Sequence, residues 1–255
     1  MRTANPALND SVFQQARSMS GVSTNRMTIS GTVNKTGILI LLLLLTAHYS
    51  WNASILEAAE GLHTQAAFVP TAWLWVGMIG GFIVALITIF KKNLAPMTAP
   101  LYALFQGLFL GAISAGFEVR FPGIAVQAVL GTAGTLFALL AAYRSGVIKP
   151  TENFKLGVVA ATGGIAFIYL ISIIMGFFGA SIPMIHDSGP IGIGFSVVVV
   201  IIAALNLVLD FDFIENGEAQ GAPQFMEWYA AFGLLVTLVW LYVEFLRLIS
   251  KLRSR

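Results

Sequence analysis

The chain of 255 residues is 57% hydrophobic and 10% charged, with a mean hydropathy of +0.84. An ordinary soluble domain carries about 25% charge, so the composition excludes that class and indicates an integral membrane protein. The net charge of +2 is scattered over segment ends, which excludes a nucleic-acid surface, and the absence of cysteine excludes a disulfide framework, a thiolate nucleophile and a thiolate metal site.

Residues 1–30 are polar and contain Arg2, Arg17 and Arg26. They lack an apolar core followed by a small-residue cleavage site, so they read as a cytoplasmic arm and not a signal peptide. Seven apolar segments follow within residues 31–249, at approximately 33–50, 72–90, 100–117, 124–143, 156–178, 191–213 and 225–248. Each is about 18 to 25 residues long, enough for a spanning helix at about 1.5 Å rise per residue. The windows are too long for barrel strands, and only helices satisfy their backbone groups segment by segment in lipid. A short basic tail, residues 250–255, closes the chain. The expected fold is an all-α bundle of seven transmembrane helices.

Small residues recur inside these segments, in the pairs Gly107 and Gly111, Gly131 and Gly134, Gly163 and Gly164, and Gly192 and Gly194. Their expected role is close helix packing. A hinge at Gly192 and Gly194 after Pro190 is the alternative.

The loops suggest an orientation. Lys35, Lys91, Lys92, Arg144, Lys149 and Lys155 fall on the side of the N-terminus, and Glu57, Glu60 and Asp187 on the other. The bias of Lys and Arg toward the inside then places the N-terminus in the cytoplasm. The last segment breaks the pattern, because a full crossing leaves Arg247, Lys251, Arg253 and Arg255 outside and Glu215, Glu218 and Glu227 inside. Its length and lack of internal proline favour a full crossing over a re-entrant return.

The sixth segment carries the sharpest functional signal. Asp210 and Asp212 follow a run that is apolar except for Ser196 and Asn206. A carboxylate in or near the hydrocarbon core needs a partner, a proton or water. Asn206 lies four residues before Asp210, so the two share a helical face and can line a polar track, whereas Asp212 points elsewhere. Two carboxylates in a poorly hydrated site do not both ionise easily, and such a pair can act as a proton-controlled latch. Charged, it also offers hard oxygen ligands to a divalent cation. The bland alternative is that both aspartates end the helix at the interface and see water. Glu227 reads either as Asp210's partner or as a first-turn acid of the last helix. Glu244, three residues before Arg247, reads as an ion pair. Glu118 and Arg120 read as a turn pair, and Gln106 as polar glue across the bundle.

Trp51, Trp73, Trp75, Trp228, Tyr229, Trp240 and Tyr242 are expected at the membrane interfaces. His48, His63 and His186 are too dispersed to form a metal motif. No phosphate-cradling glycine loop, HExxH or GxSxG is present, so no catalytic activity is expected.

The stretches MTISGTVNKTGILILLLLL, APLYALFQGLFLGAIS, LNLVLDFDFIENG and GAPQFMEWYAAFGLLVTLVWLYVEFLRL together resemble the bacterial branch of the Bax inhibitor-1 family of transmembrane proteins, over about Met27 to Lys251. The resemblance implies a bundle whose last helix is surrounded by the other six. It also implies a pH-sensitive calcium leak channel, sensed by an aspartate near the end of the sixth helix and another in the seventh. The sixth-helix pattern falls on Asp210, Phe211, Asp212 and Ile214. The chain has no aspartate after Asp212. Local wording places the seventh-helix partner at Glu244, in LYVEF, and the meeting of adjoining helix ends places it at Glu227. Gln106 stands where family members often carry glutamate.

The expected function is a proton-controlled passive cation leak in a bacterial inner membrane. Asp210 and Glu227 form the gate with Asp212 nearby, Glu244 is the alternative partner, and Asn206 and Gln106 line the bundle. No resident cofactor is expected, only a calcium ion passing Asp210 and Glu227. The expected partners are the lipid bilayer, calcium and protons. The competing expectation is a non-conducting protein that binds a protease or another membrane protein, and a proton-coupled transporter comes third.

Overall fold

The computed structural model describes residues 26–61, 71–179 and 187–254. Residues 1–25 of the N-terminal arm, with Arg2 and Arg17, lie outside this range, as do His63, His186 and Arg255. The helices are α1 (Ile29–Gly61), α2 (Ala72–Phe90), α3 (Ala95–Arg120), α4 (Ile124–Arg144), α5 (Glu152–Phe177), α6 (Pro190–Ala219) and α7 (Met226–Arg253), with a 3-10 turn at Lys92–Leu94 before α3. All seven are long and apolar enough to cross a membrane. Among the described residues there is no strand, only one isolated bridge between Arg26 and Pro223.

Several helices overrun their apolar segments. Hydropathy reports the thickness of the hydrocarbon, whereas a helix stops where its terminal backbone groups find other partners. The α6 helix runs past Phe213 to Ala219, where Gly221 adopts a left-handed φ of 62° and its amide returns to the Glu218 carbonyl. The α7 helix likewise absorbs residues 250–253 of the basic tail. Thr151 caps α5 by accepting from the Phe154 amide, and the Glu118 carboxylate caps α4 by accepting from the Gly123 and Ala125 amides. Glu118 therefore serves a helix start and not a turn pair with Arg120, whose guanidinium lies over the Phe121 ring.

α7 is one continuous helix that runs the length of the bundle without turning back. Its far end is tied to the opposite side of the bundle from its start: Arg253 donates to the Phe121 and Pro122 carbonyls of the α3–α4 turn, and Lys251 donates to the Gly192 carbonyl and Ser196 hydroxyl of α6. These cations are held by the bundle, which explains why the charge bias does not govern the last span.

α7 is also the most buried of the spans and packs against α1, α3, α4 and α6. Its central place moves two residues from the expected aromatic belt into the core. Tyr229 is fully buried beside Phe232, and the buried Tyr242 hydroxyl bonds Ser114 at 2.6 Å. α5 is the opposite extreme, the least buried span, packed against α6.

The glycine pairs divide. A methyl group on Gly107 or Gly111 would collide with α1 backbone carbonyls and with Thr46 or Ser50, so this pair seats α1 on α3. Gly131 meets the Phe245 ring. Gly134, Gly163, Gly164 and Gly194 face open space, so the packing role does not extend to them.

Candidate functional site: a polar seam along α5, α6 and α7

The continuation of α6 to Ala219 decides where the aspartates sit. At about 1.5 Å per residue, Asp210 lies about 13 Å below the end of α6 and Asp212 about 10 Å below it. Asp210 is 1% exposed, so the reading of it as a solvated helix end does not hold.

Glu227 opens α7, and the same counting separates it from Asp210 by about 12 Å along the bundle. Its carboxylate is engaged by α1: Lys35 forms an ion pair with Oε2, and the Thr28 amide and hydroxyl both donate to Oε1 at 2.9 Å. Glu218 accepts from the Ile29 amide beside it. Two carboxylates thus meet the positive end of the α1 dipole. Glu227 anchors the first helix to the α6–α7 hairpin. Glu244 lies about 27 Å into α7, about as far below Asp210 as Glu227 is above it. It is 1% exposed, accepts from the Tyr169 hydroxyl of α5 at 3.0 Å and pairs with Arg247 at 3.1 Å, as the sequence spacing suggests. Helix register thus sets Asp210 at a level between the two glutamates.

Three polar contacts connect α5 to its neighbours, from residues spaced seven apart. Lys155 pairs with Asp212 at 2.8 Å, Thr162 accepts from the Asn206 amide at 2.8 Å, and Tyr169 reaches Glu244. Val158 and Ile165 fill the intervening positions and are buried, so α5 presents one seam with heptad spacing and polar residues at every seventh position. Asp210 lies one turn beyond Asn206 on nearly the same face of α6, between the levels of Asn206 and Asp212. Polar groups therefore follow one another through the α5, α6 and α7 region, from Lys155 and Asp212 near the N-terminal side to Glu244 and Arg247 near the other.

Gln106 lies elsewhere. With Gly81 of α2, Tyr102 of α3 and Phe232 of α7 it lines a cavity of about 320 Å³, its amide packed against Gly81. It contributes to the α2–α3 contact and not to the seam.

Four participants, Lys35, Lys155, Thr162 and Tyr169, are not evident from the sequence. Lys35 and Lys155 read there as topology charges, and Tyr169 is one aromatic in a long apolar run. The signal that points to the α5 residues is the seven-residue spacing of Lys155, Thr162 and Tyr169, and nothing comparable singles out Lys35. No group of three or more His, Cys, Asp or Glu among the described residues forms a metal cage.

A family model described as Bax inhibitor 1 like matches residues 5–254. Comparison with curated proteins and with solved structures gives no match.

Proposed function

The chain belongs to the Bax inhibitor 1 like family of membrane proteins, and from that premise we propose that it is a pH-sensitive passive leak for cations, calcium foremost. The observation that carries this reading is Asp210, 1% exposed and placed by helix register between the levels of Asn206 and Asp212 on α6. A charged group so placed is costly in a membrane protein and marks an ion or proton pathway. Calcium favours oxygen ligands, and the carboxylates and amide oxygen of the seam supply them in succession.

Proton control follows from charge. Loss of the Asp210 proton adds a negative charge to the seam and favours cations, and its gain removes that attraction. By helix register the charges nearest the level of Asp210 are Asp212 with Lys155, while Glu227 with Lys35 lies about 12 Å above it and Glu244 with Arg247 about 13 Å below. Inward movement is further driven by the membrane potential, worth about 2.3 kcal/mol per charge per 100 mV. In this reading the protein sits in a bacterial plasma membrane with its N-terminus in the cytoplasm, acts on calcium and protons, and catalyses no reaction.

Calcium uptake by dye-loaded proteoliposomes at pH 6 and pH 8 tests the proposal. Wild-type uptake rises from pH 6 to pH 8, and Asp210→Asn loses the rise. Absence of uptake above empty vesicles at both pH values, from folded protein, defeats the leak and favours a non-conducting interaction role.

A further inference from the structure

A lysine inside a path for cations calls for a reason of its own. Lys155 is 2% exposed, one turn into α5. Its Nζ lies 2.8 Å from Asp212 Oδ2 and 3.5 Å from Glu152 Oε1, and Glu152 itself is turned to solvent. On the α4 flank, the Tyr143 hydroxyl bonds Glu215, one turn from Asp212 on α6. The N-terminal mouth of the seam is thus bordered by Glu152, Asp212 and Glu215, with one ammonium drawn in among them.

We propose that Lys155 is a tethered counter-ion that plugs the seam, occupying at Asp212 the place a permeating divalent cation takes. This rests on the leak reading. A buried ammonium needs a carboxylate to offset its lost hydration, and Asp212 provides it. The same carboxylate is a hard oxygen ligand of the kind calcium selects. Lysine and the ion therefore compete for one anion, and the resident ammonium repels the arriving cation. Lysine suits this role because it is a compact point charge on a flexible four-carbon stem, able to withdraw toward Glu152.

The test uses full-length protein in calcium-free vesicles loaded with a calcium dye. Compared with wild type, K155Q raises calcium uptake several-fold, and K155R, which keeps the charge, stays at the wild-type level. The chain contains no cysteine, so thiol chemistry on K155C acts at that position alone. K155C is leaky. Attaching an aminoethylthio group, which restores the ammonium, returns uptake to the wild-type level, and attaching a neutral methylthio group does not. Because that comparison is made on the same vesicles before and after reagent, a folding defect does not mimic it. Measurable wild-type uptake that K155Q leaves unchanged or lowers, or K155C uptake that responds equally to both reagents, overturns the plug and leaves the leak standing. No uptake from wild type, K155Q or K155C overturns both.

Discussion

Glu227 shows how one side chain can change its apparent role once its surroundings are known. The sequence offers it as an acidic partner for Asp210, because adjoining helix ends meet. In the structure its carboxylate, 3% exposed, holds Lys35 and the Thr28 amide and hydroxyl. Gly31 makes this possible, since a methyl group there would collide with the Glu227 carboxylate. Gly31→Ala should therefore lower stability by about 1–3 kcal/mol through overpacking. The same change at Gly134, which faces open space, should be neutral. Thermal unfolding in detergent compares the two. Glu227→Gln leaves Lys35 without its counter-charge and should cost about 1–3 kcal/mol. If the pair is the reason, adding Lys35→Met should recover part of that loss, and equal additive losses would argue against it.

Among elements, α1 and α5 represent two ways of joining a bundle. α1 is seated by the absence of side chains at Gly107 and Gly111, where its carbonyls approach α3. Gly107→Leu should separate the pair and abolish monodisperse protein in gel filtration, whereas Gly163→Leu on α5 should not. α5 is joined by three polar contacts at seven-residue spacing over a short apolar seam, and is the least buried span. Local opening follows local packing. Amide exchange should therefore be faster in α5 than in α7, and equal protection would contradict the loose-helix description. The helices themselves were legible in the sequence, because a run of apolar residues about 20 long has few alternatives in a membrane protein. Their ends were less so. The helical extension that carries α6 to Ala219, and so buries Asp210, depends on the left-handed turn at Gly221 and not on hydropathy.

For the whole molecule, seven successive helices place the start of α1 and the end of α7 on opposite sides of the bundle. The charge bias disagreed because it counts Arg247, Lys251 and Arg253 as free to select a side, while the structure binds them to Glu244, the α6 start and the α3–α4 turn. Reporter fusions at the two termini should accordingly report opposite faces of the membrane, and a common face would require a re-entrant last helix. The acidic residues themselves were visible from the sequence, including Asp210, Asp212 and Glu244. Their connections were not, since Lys155, Thr162 and Tyr169 lie in a different helix and no local pattern links them to α6 and α7. In the proposed function these residues together line the cation path. Its most direct test is Thr162→Cys in the cysteine-free chain, treated with a water-soluble charged thiosulfonate while calcium uptake is recorded. The seam predicts that Thr162→Cys reacts and that the attached charge changes uptake, while Gly163→Cys, facing open space on the same turn, leaves uptake as it was. Uptake that the reagent leaves unaltered in Thr162→Cys vesicles, or alters equally in Gly163→Cys vesicles, would place the path outside the α5–α6–α7 seam.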